Sequence, residues 1–289
     1  MPFFSIVIPT YNRAHLIQHA LNAILKQDFA DYEVIVVDDG STDNTKTIVT
    51  GYSDSRINYI HQENGERGKA RNTGTKNAKG TYIFFLDSDD LIAPTYLSVA
   101  AKHLTELNQP EFFHIRYQEI FPDGTICPTR TLNKDTIQQT INRQNQFACQ
   151  FFLRKDVALQ FPFCENRALK IGEDWDIILK VAQRYPLHFT NEVLGSIVHH
   201  GNRSMEVASS SVVLTSKNVL LERLGADTQI PKAVLKNVSV EFTFLAALSA
   251  AIERKRALAI GLWWKAFLQR PGIIFKRRTF AILKRIIGG

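Results

Sequence analysis

An α/β fold, a mixed sheet flanked by helices and followed by a C-terminal helical extension, is predicted by three observations. Short apolar runs alternate with helix-like segments over the first hundred residues. The run Tyr82-Ile83-Phe84-Phe85-Leu86 is apolar on both faces, as a strand covered on both sides must be. From about Ser210 onward only helix-like segments occur.

Phe3 to Ile8 is an apolar, β-rich run, and Asn12 is placed to cap a helix whose apolar positions Leu16, Ile17, Ala20, Leu21, Ile24 and Leu25 recur at helical spacing. Glu33 to Val37 is the second strand. Ser41 offers a cap to a short helix through about Val49, with Asp43 in its first turn, where negative charge suits the helix dipole. Ile57 to His61 is a third strand, Gly68 to Ala78 a helix, Tyr82 to Leu86 the fourth strand and Pro94 to Leu107 a helix. Beyond that the alternation breaks down. Phe112 to Phe121 followed by Asp123-Gly124 reads as a strand entering a turn, Ile177 to Tyr185 as a helix and Val193 to His200 as a strand. The boundary between the sheet-bearing domain, 1–205, and the helical region, 206–289, is placed near residue 206.

With 289 residues, 45% of them hydrophobic and 22% charged, the chain buries a sizeable core, and no segment repeats at a fixed period; disorder, collagen, small disulfide scaffolds and solenoids are excluded. The net charge of +7 is uneven. Residues 252–289 hold ten Lys and Arg against Glu253 alone, 10 − 1 = +9, which leaves 7 − 9 = −2 for the rest. The bulk is slightly acidic and only the tail is basic, so a nucleic-acid partner is not predicted. Cys127, Cys149 and Cys164 are odd in number and lack C-x-x-C spacing, which favours a reducing compartment over a disulfide or zinc framework. The N-terminus has no basic n-region, and the sequons at Asn202 and Asn237 read as chance in a cytoplasmic chain. The uncharged stretch Phe242 to Ile252 is too short to span a bilayer.

Ligands of doubly wound sheets bind at the carboxyl ends of the strands, where this sequence places Thr10-Tyr11-Asn12, Asp38-Asp39-Gly40-Ser41 and Asp87-Ser88-Asp89-Asp90. Three carboxylates crowded at one sheet edge repel one another unless a cation or solvent offsets them, and carboxylate oxygens suit Mg²⁺ or Mn²⁺. The alternative is a solvated acidic turn with Asp90 capping the next helix. At Asp38-Asp39 a carboxylate could accept from a base or a ribose hydroxyl, or simply cap a helix. Gly65-Glu66-Arg67-Gly68-Lys69-Ala70-Arg71-Asn72 matches neither G-x-G-x-x-G nor the P-loop, so nicotinamide and ATPase readings are weak.

Taken in order, Ser5-Ile6-Val7-Ile8-Pro9-Thr10-Tyr11-Asn12, Val36-Val37-Asp38-Asp39-Gly40-Ser41-Thr42-Asp43, Ala70-Arg71-Asn72 and Phe85-Leu86-Asp87-Ser88-Asp89-Asp90 resemble glycosyltransferase family 2. The resemblance spans roughly residues 3–205. It implies the GT-A fold and inverting transfer from a nucleotide-activated sugar. It also implies that Thr10, Tyr11 and Asp39 line the nucleobase pocket and that Arg71 contacts base or phosphate. Asp87 would face the ribose and Asp89 the metal, Mn²⁺ or Mg²⁺. The family's acidic pair after the D-x-D has its counterpart in Glu173-Asp174, with Asp174 as the base. Read without the resemblance, this pair is the acidic first turn of a helix. His199-His200 stands where relatives place a His near the diphosphate; neighbouring strand residues face opposite ways, and His200 is favoured as the metal-side residue. Thr125 to Phe147, between the metal and base motifs, is the expected acceptor-facing region.

In the tail, Phe275, Phe280, Ile282, Leu283, Ile286 and Ile287 share one helical arc, and Arg277, Arg278, Lys284 and Arg285 the other, with Lys276 able to snorkel from the apolar side. Trp263 and Trp264 with Leu258, Ile260, Leu262, Phe267 and Leu268 form a second apolar set beyond Arg254, Lys255 and Arg256. Such helices suit an anionic membrane surface, or else their apolar arc packs on the protein. The expected activity is that of a cytoplasmic, membrane-peripheral glycosyltransferase adding a sugar, from UDP-sugar, to a glycan or lipid-linked acceptor in cell-surface polysaccharide synthesis. Two alternatives are a sugar-phosphate nucleotidylyltransferase, whose Gly-rich, Lys-bearing loop Pro9 to Arg13 lacks, and an inactive nucleotide-binding scaffold on the membrane.

Overall fold

The computed structural model of the chain describes residues 1–147, 150–200 and 208–287, the last without its side chain. Cys149, the stretch Gly201 to Ser204 with its sequon, the boundary expected near 206 and the Ile287 side chain therefore lie outside what is described. The residues gather into two compact units whose segments interleave along the sequence. The first comprises Met1–Gln138, Phe147–Glu165 and Arg184–His200; the second comprises Gln139–Gln146, Asn166–Gln183 and the chain from Gly201 on.

The first unit is built on a nine-stranded sheet. Its elements in chain order are β1 (Phe4–Thr10), α1 (Ala14–Leu25), β2 (Tyr32–Asp38), α2 (Thr45–Thr50), β3 (Ile57–His61), α3 (Glu66–Asn77), β4 (Tyr82–Phe85), β5 (Leu91–Ile92), α4 (Tyr96–Glu106), β6 (Phe112–Ile120) and β7 (Ile126–Pro128). A short α5 (Ile137–Ile141) leads out, and β8 (Phe151–Arg154), α6 (Lys155–Gln160) and β9 (His188–Val198) complete the unit. The strand order is β3-β2-β1-β4-β8-β6-β9-β5, with β7 paired to β6. β3, β2, β1 and β4 are mutually parallel, whereas β8 runs antiparallel to both β4 and β6. The alternation Ile6, Ile8, Val34, Val36, Phe84 and Leu86 points to one face, against Ile17, Leu21 and Ile24 of α1 and Tyr96, Leu97 and Leu104 of α4. On the other face α3 packs on β1 and β2 so closely that a Cβ at Gly74 would stand 2.3 Å from Val7.

Several local expectations give way to tertiary ones. Asn12 does not cap α1: its φ is +50°, and its Oδ1 instead accepts from the Thr42 N–H at 2.8 Å. Ser41 does not cap α2, which starts at Thr45; its Oγ accepts from the Asn12 N–H at 2.9 Å. Asp43 receives the Ala14 N–H at the start of α1 at 3.0 Å with one oxygen and the Thr45 N–H at the start of α2 at 3.0 Å with the other, so the loop after β2 serves both helices. β9 begins five residues before the expected strand and ends at Val198. β5, β7 and β8 are four residues long or shorter, too brief to show a period.

The second unit holds α7 (Glu173–Ala182), α8 (Ser210–Gly225), α9 (Lys232–Ile252), α10 (Arg256–Gln269), a 3₁₀ turn (Pro271–Phe275) and α11 (Arg277–Ile287). α7 starts four residues earlier than the Ile177 read from periodicity, immediately after Gly172, whose φ of +89° no other residue adopts readily. α9, at 21 residues, is long and apolar enough to cross a membrane by length and composition, yet 61% of its apolar window is buried among its neighbours. Its Val240, Phe244, Ala247 and Ala251 meet Ala259, Ala266, Ile273 and Ile282. Part of the tail's apolar arc, Ile282 and Ile286, thus packs on protein. Phe275, Phe280 and Leu283 remain exposed, at 85%, 62% and 41%. Lys276 does not snorkel: its Nζ lies 3.0 Å from Glu241.

Candidate active site

The strand order sets the site. β2, β1 and β4 lie side by side and parallel, so their carboxyl ends bring the three polar clusters to one sheet edge. Thr10 pairs with Asp38 across the ladder, and the Asp39 N–H continues it to the Thr10 carbonyl at 2.8 Å. Thr10 is buried and Tyr11, one residue on, is half exposed.

The two aspartates after β2 are held differently. Asp38, buried, accepts from the Tyr59 hydroxyl at 2.6 Å and the Ser41 N–H at 2.8 Å, and so fixes the loop. Burial, reinforced by that hydrogen bond to Asp38, keeps the Tyr59 phenol far above its ordinary pKa. Oδ1 of Asp39 accepts from Gln62 Nε2 at 2.6 Å and from the Gly65 N–H at 2.9 Å, just ahead of α3. Gly40 turns the chain between these groups with φ +83°, and a Cβ there would stand 3.0 Å from the Asn64 nitrogen.

α3 delivers Arg71, whose side chain is 1% exposed. Its guanidinium sits 2.6 Å from Asp87 Oδ1 and 5.0 Å above the Phe163 ring. A buried arginine needs such a partner, and the pair fixes the Asp87 carboxylate in turn. Asn72 ties the same helix to the Phe163 backbone in both directions, at 2.8 and 3.0 Å.

The ligand atoms of Asp87, Asp89 and Asp90 lie within 4.8 Å of one another. Asp90 is buried and accepts from Gln150 Nε2 at 3.2 Å, while Asp87 is held by Arg71. Asp89 is met by His200 Nε2 at 2.8 Å from its Oδ2. His199 turns elsewhere, its ring stacked on Phe121 with centroids 4.4 Å apart. Both histidines lie past the end of β9, so the strand rule did not govern them; the stacking on Phe121 did. The clustered carboxylates and the adjacent imidazole nitrogen suit a hard divalent cation, and the nitrogen suits Mn²⁺ better than Mg²⁺.

Sequence reasoning missed Gln150. It is fully buried, its carbonyl accepts from the Tyr96 hydroxyl at 3.3 Å and lies 3.1 Å from His114 Nδ1, and its Oε1 lies where a Cβ on Gly195 would go. A lone Gln in an irregular stretch carries no pattern that could have revealed it.

Asp174 belongs to the second unit, in the first turn of α7. Its Oδ1 accepts from the Trp175 N–H at 2.8 Å, and Oδ2 from Asn145 Nδ2 at 3.0 Å. Asn145 is a second residue the sequence did not flag. The helix start is anchored from behind. Trp175 donates from Nε1 to the Ile141 carbonyl at 2.9 Å and lies parallel to Phe242. The buried Asp176 is paired with Lys180 at 2.7 Å and with Arg223. Burial draws the Lys180 pKa down and Asp176 partly restores it.

A family model, glycosyl transferase family 2, matches residues 5–164, more than half of the chain. The chain belongs to glycosyltransferase family 2. It is 41% identical over 205 residues to an uncharacterised glycosyltransferase of Rickettsia typhi, covering 67% of this chain and 63% of that one. A second, from Rickettsia felis, is 31% identical over 221 residues, 72% of this chain but 36% of the relative, so the chain spans about a third of that protein's length. The Escherichia coli protein WcaA, named for colanic acid biosynthesis, is 28% identical over 72% of this chain and 76% of its own. Among solved structures, S. aureus TarS in complex with UDP-GlcNAc superposes with TM-score 0.62 at 21% identity, covering 96% of this chain and 93% of TarS. The mannosyltransferase PcManGT of Pyrobaculum calidifontis, in complex with GDP-Man and Mn²⁺, gives 0.62 at 17% identity over 99% and 86%. The fold is that of GT-A glycosyltransferases, a mixed sheet flanked by helices.

Proposed function

We propose that the chain is an inverting, metal-dependent glycosyltransferase that moves a sugar from a UDP-sugar to a hydroxyl of a glycan or lipid-linked glycan in cell-surface polysaccharide synthesis. The observation that carries this reading is the pairing of His200 with Asp89 beside Asp87, which gathers carboxylate and imidazole ligands on the edge that also bears Thr10 and Asp39. Thr10, Tyr11 and Asp39 bind the base, Arg71 orients Asp87 toward the ribose, and Asp89 with His200 holds Mn²⁺ or Mg²⁺. Bound there, the ion supplies Lewis acidity toward the departing diphosphate. Asp174 takes the proton of the acceptor hydroxyl as that oxygen attacks the anomeric carbon. The hydrogen bond from Asn145 Nδ2 at 3.0 Å fixes the direction of that carboxylate.

The C-terminal helices place the enzyme on the inner face of the plasma membrane, near lipid-linked acceptors. No acidic residue follows Glu253, and among the described residues Arg254, Arg256, Lys265, Arg277, Lys284 and Arg285 have no carboxylate partner. Ile260, Trp264 and Leu268 form an exposed stripe of α10 at helical spacing, and Phe280 and Leu283 one on α11.

Calorimetric titration of UDP, GDP and dTDP with and without Mn²⁺, on wild type and Asp89→Ala, tests the donor half of the reading. Metal-dependent binding of UDP that disappears in the variant is expected. Failure of every diphosphate to bind would overturn it.

A further inference from the structure

Three cations of the second unit share one carboxylate, and a fourth, Arg143, stands next to a residue that one of them holds. Glu241, in the middle of α9 and 11% exposed at its side chain, lies 2.6 Å from Arg278, 3.0 Å from Lys276 and 3.5 Å from Arg270. Arg143 completes the group. It directly precedes Gln144, which accepts from Lys276 at 3.3 Å, so the chain brings it beside the group; burial lowers the Arg270 pKa, Glu241 opposes that, and the Arg143 charge adds to the lowering. The other polar neighbours are neutral: Asn237 accepts from Arg270 at 2.7 Å and Gln144 from Lys276 at 3.3 Å. The cluster therefore carries four positive charges against one negative, with Lys276 and Arg278 partly open to solvent at 31% and 40%.

Its place on the chain gives the surplus a meaning. Arg143, Gln144 and Asn145 are consecutive; Gln144 is held by Lys276 of the cluster, and Asn145 donates to the Asp174 carboxylate. One loop thus meets both the cation group, through Gln144, and the candidate base, through Asn145. A carboxylate ligand would cancel one of three surplus charges. A phosphate or diphosphate cancels most of them, and arginine forks match its oxygens.

We infer that Arg143, Arg270, Lys276 and Arg278 form a phosphate-binding site for the acceptor, tied through Gln144 and Asn145 to the carboxylate of Asp174. The site lies within the second unit. It rests on the reading of Asp174 as base only for its role, not for its ligand chemistry.

The test is titration calorimetry on the full chain in EDTA, with farnesyl diphosphate and inorganic diphosphate as probes. The proteins compared are wild type, Arg143→Gln/Lys276→Gln, Lys276→Arg, Asp89→Ala and Asp174→Asn. Arg143 is exposed and Lys276 lies between helices, so the double variant is expected to keep the wild-type circular dichroism and melting temperature. Binding that weakens tenfold or more in the double variant, but survives in Lys276→Arg, Asp89→Ala and Asp174→Asn, is the expected result. Tighter binding of farnesyl than of inorganic diphosphate assigns the phosphate to a lipid-linked acceptor; equal binding assigns it to a phosphate on an unlipidated glycan. No binding to wild type, binding unchanged in the double variant, or binding lost in Asp89→Ala overturns the site, the last because the probe would then be occupying the donor pocket. Sugar transfer by Asp174→Asn is scored separately, so a failure of the base assignment is not mistaken for a failure of the phosphate site.

Discussion

The two units dispose of their charges in opposite ways. In the first, each charged group near the sheet edge has its partner inside the fold: Asp38 with Tyr59, Arg71 with Asp87, Asp90 with Gln150, Asp89 with His200. In the second, Asp176 is balanced in that manner by Lys180 and Arg223, but Glu241 faces several cations at once and the tail keeps a surplus of cations beside exposed aromatic and aliphatic side chains. Internal pairing fixes geometry, which a donor site needs before its substrate arrives. Unpaired charge projects a field outward, and that is useful for capturing an anionic partner. The contrast matches the proposed roles: a preorganised donor site in the first unit, and contacts to acceptor and surface in the second.

The largest expected effect tests that division directly. Asp174→Asn removes the proposed proton acceptor of the second unit and is expected to lower sugar transfer by about 10²- to 10⁴-fold while UDP binding with Mn²⁺ stays within twofold of wild type. Asp89→Ala is expected to abolish the binding itself. Single-turnover transfer and calorimetry on both variants separate the two, and equal loss of binding in both would end the contrast.

Backbone strain at the entry of α7 comes next. An alanine at Gly172 would hold φ near +89° with its Cβ 2.7 Å from Phe242 Cζ, so Gly172→Ala is expected to destabilise by about 1–3 kcal/mol. At Gly225, the last residue of α8, nothing lies within 4 Å of an added Cβ. Gly225→Ala is therefore expected to be neutral or stabilising by a few tenths of a kcal/mol, up to about 1 kcal/mol. Urea denaturation of the two variants checks the pair. If both destabilise alike, the Gly172–Phe242 contact is not what fixes the helix start.

How much of this was legible in the sequence follows the range of the forces involved. The four parallel strands and their acidic ends could be read because continuous apolar runs and the clusters after them are local patterns. β8 could not: its four residues pair between β4 and β6 through a stack of Phe152 on Phe84, a contact across 68 positions of sequence. Asn12 and Ser41 were assigned to the nearest helix because capping is local in the average protein, whereas here each serves the other's loop. Asp89 and Asp174 stood out as acidic clusters; Gln150 and Asn145, which hold neighbouring groups in place, are single amides that only three-dimensional contact reveals. The tail's helical wheel identified the amphipathic character but could not divide the apolar arc into the part that packs on α9 and the part left exposed.

A smaller effect sharpens the contrast through pH. His114, fully buried in the first unit against Phe147 and the Gln150 carbonyl, has its imidazole pKa pushed down to about 3 by burial, with the backbone hydrogen bond partly opposing. The unfolded chain takes up that proton near pH 6.5, so between about pH 6.5 and 3 protonation favours unfolding. Stability is expected to fall by about 1.4 kcal/mol per pH unit from this group as pH drops through that window. His114→Gln is expected to flatten the slope. Denaturation midpoints between pH 4.5 and 7 measure it, and an unchanged slope would place the acid sensitivity elsewhere.

The smallest effects per residue belong to the tail. Each exposed cation near an anionic bilayer contributes about 1 kcal/mol, so Arg277→Gln, Lys284→Gln and Arg285→Gln are each expected to weaken co-sedimentation with phosphatidylglycerol-containing vesicles roughly fivefold, and less at high salt. Lys255 supplies the internal comparison, because its ammonium is already 2.8 Å from Glu253, and Lys255→Gln is expected to change little. Trp264→Ala, which removes an exposed ring from the α10 stripe, is expected to weaken binding even in salt, since apolar insertion is not screened. If all five variants bind neutral and anionic vesicles as wild type does, the surplus charge of the second unit serves the acceptor alone and the surface has no part in holding the enzyme.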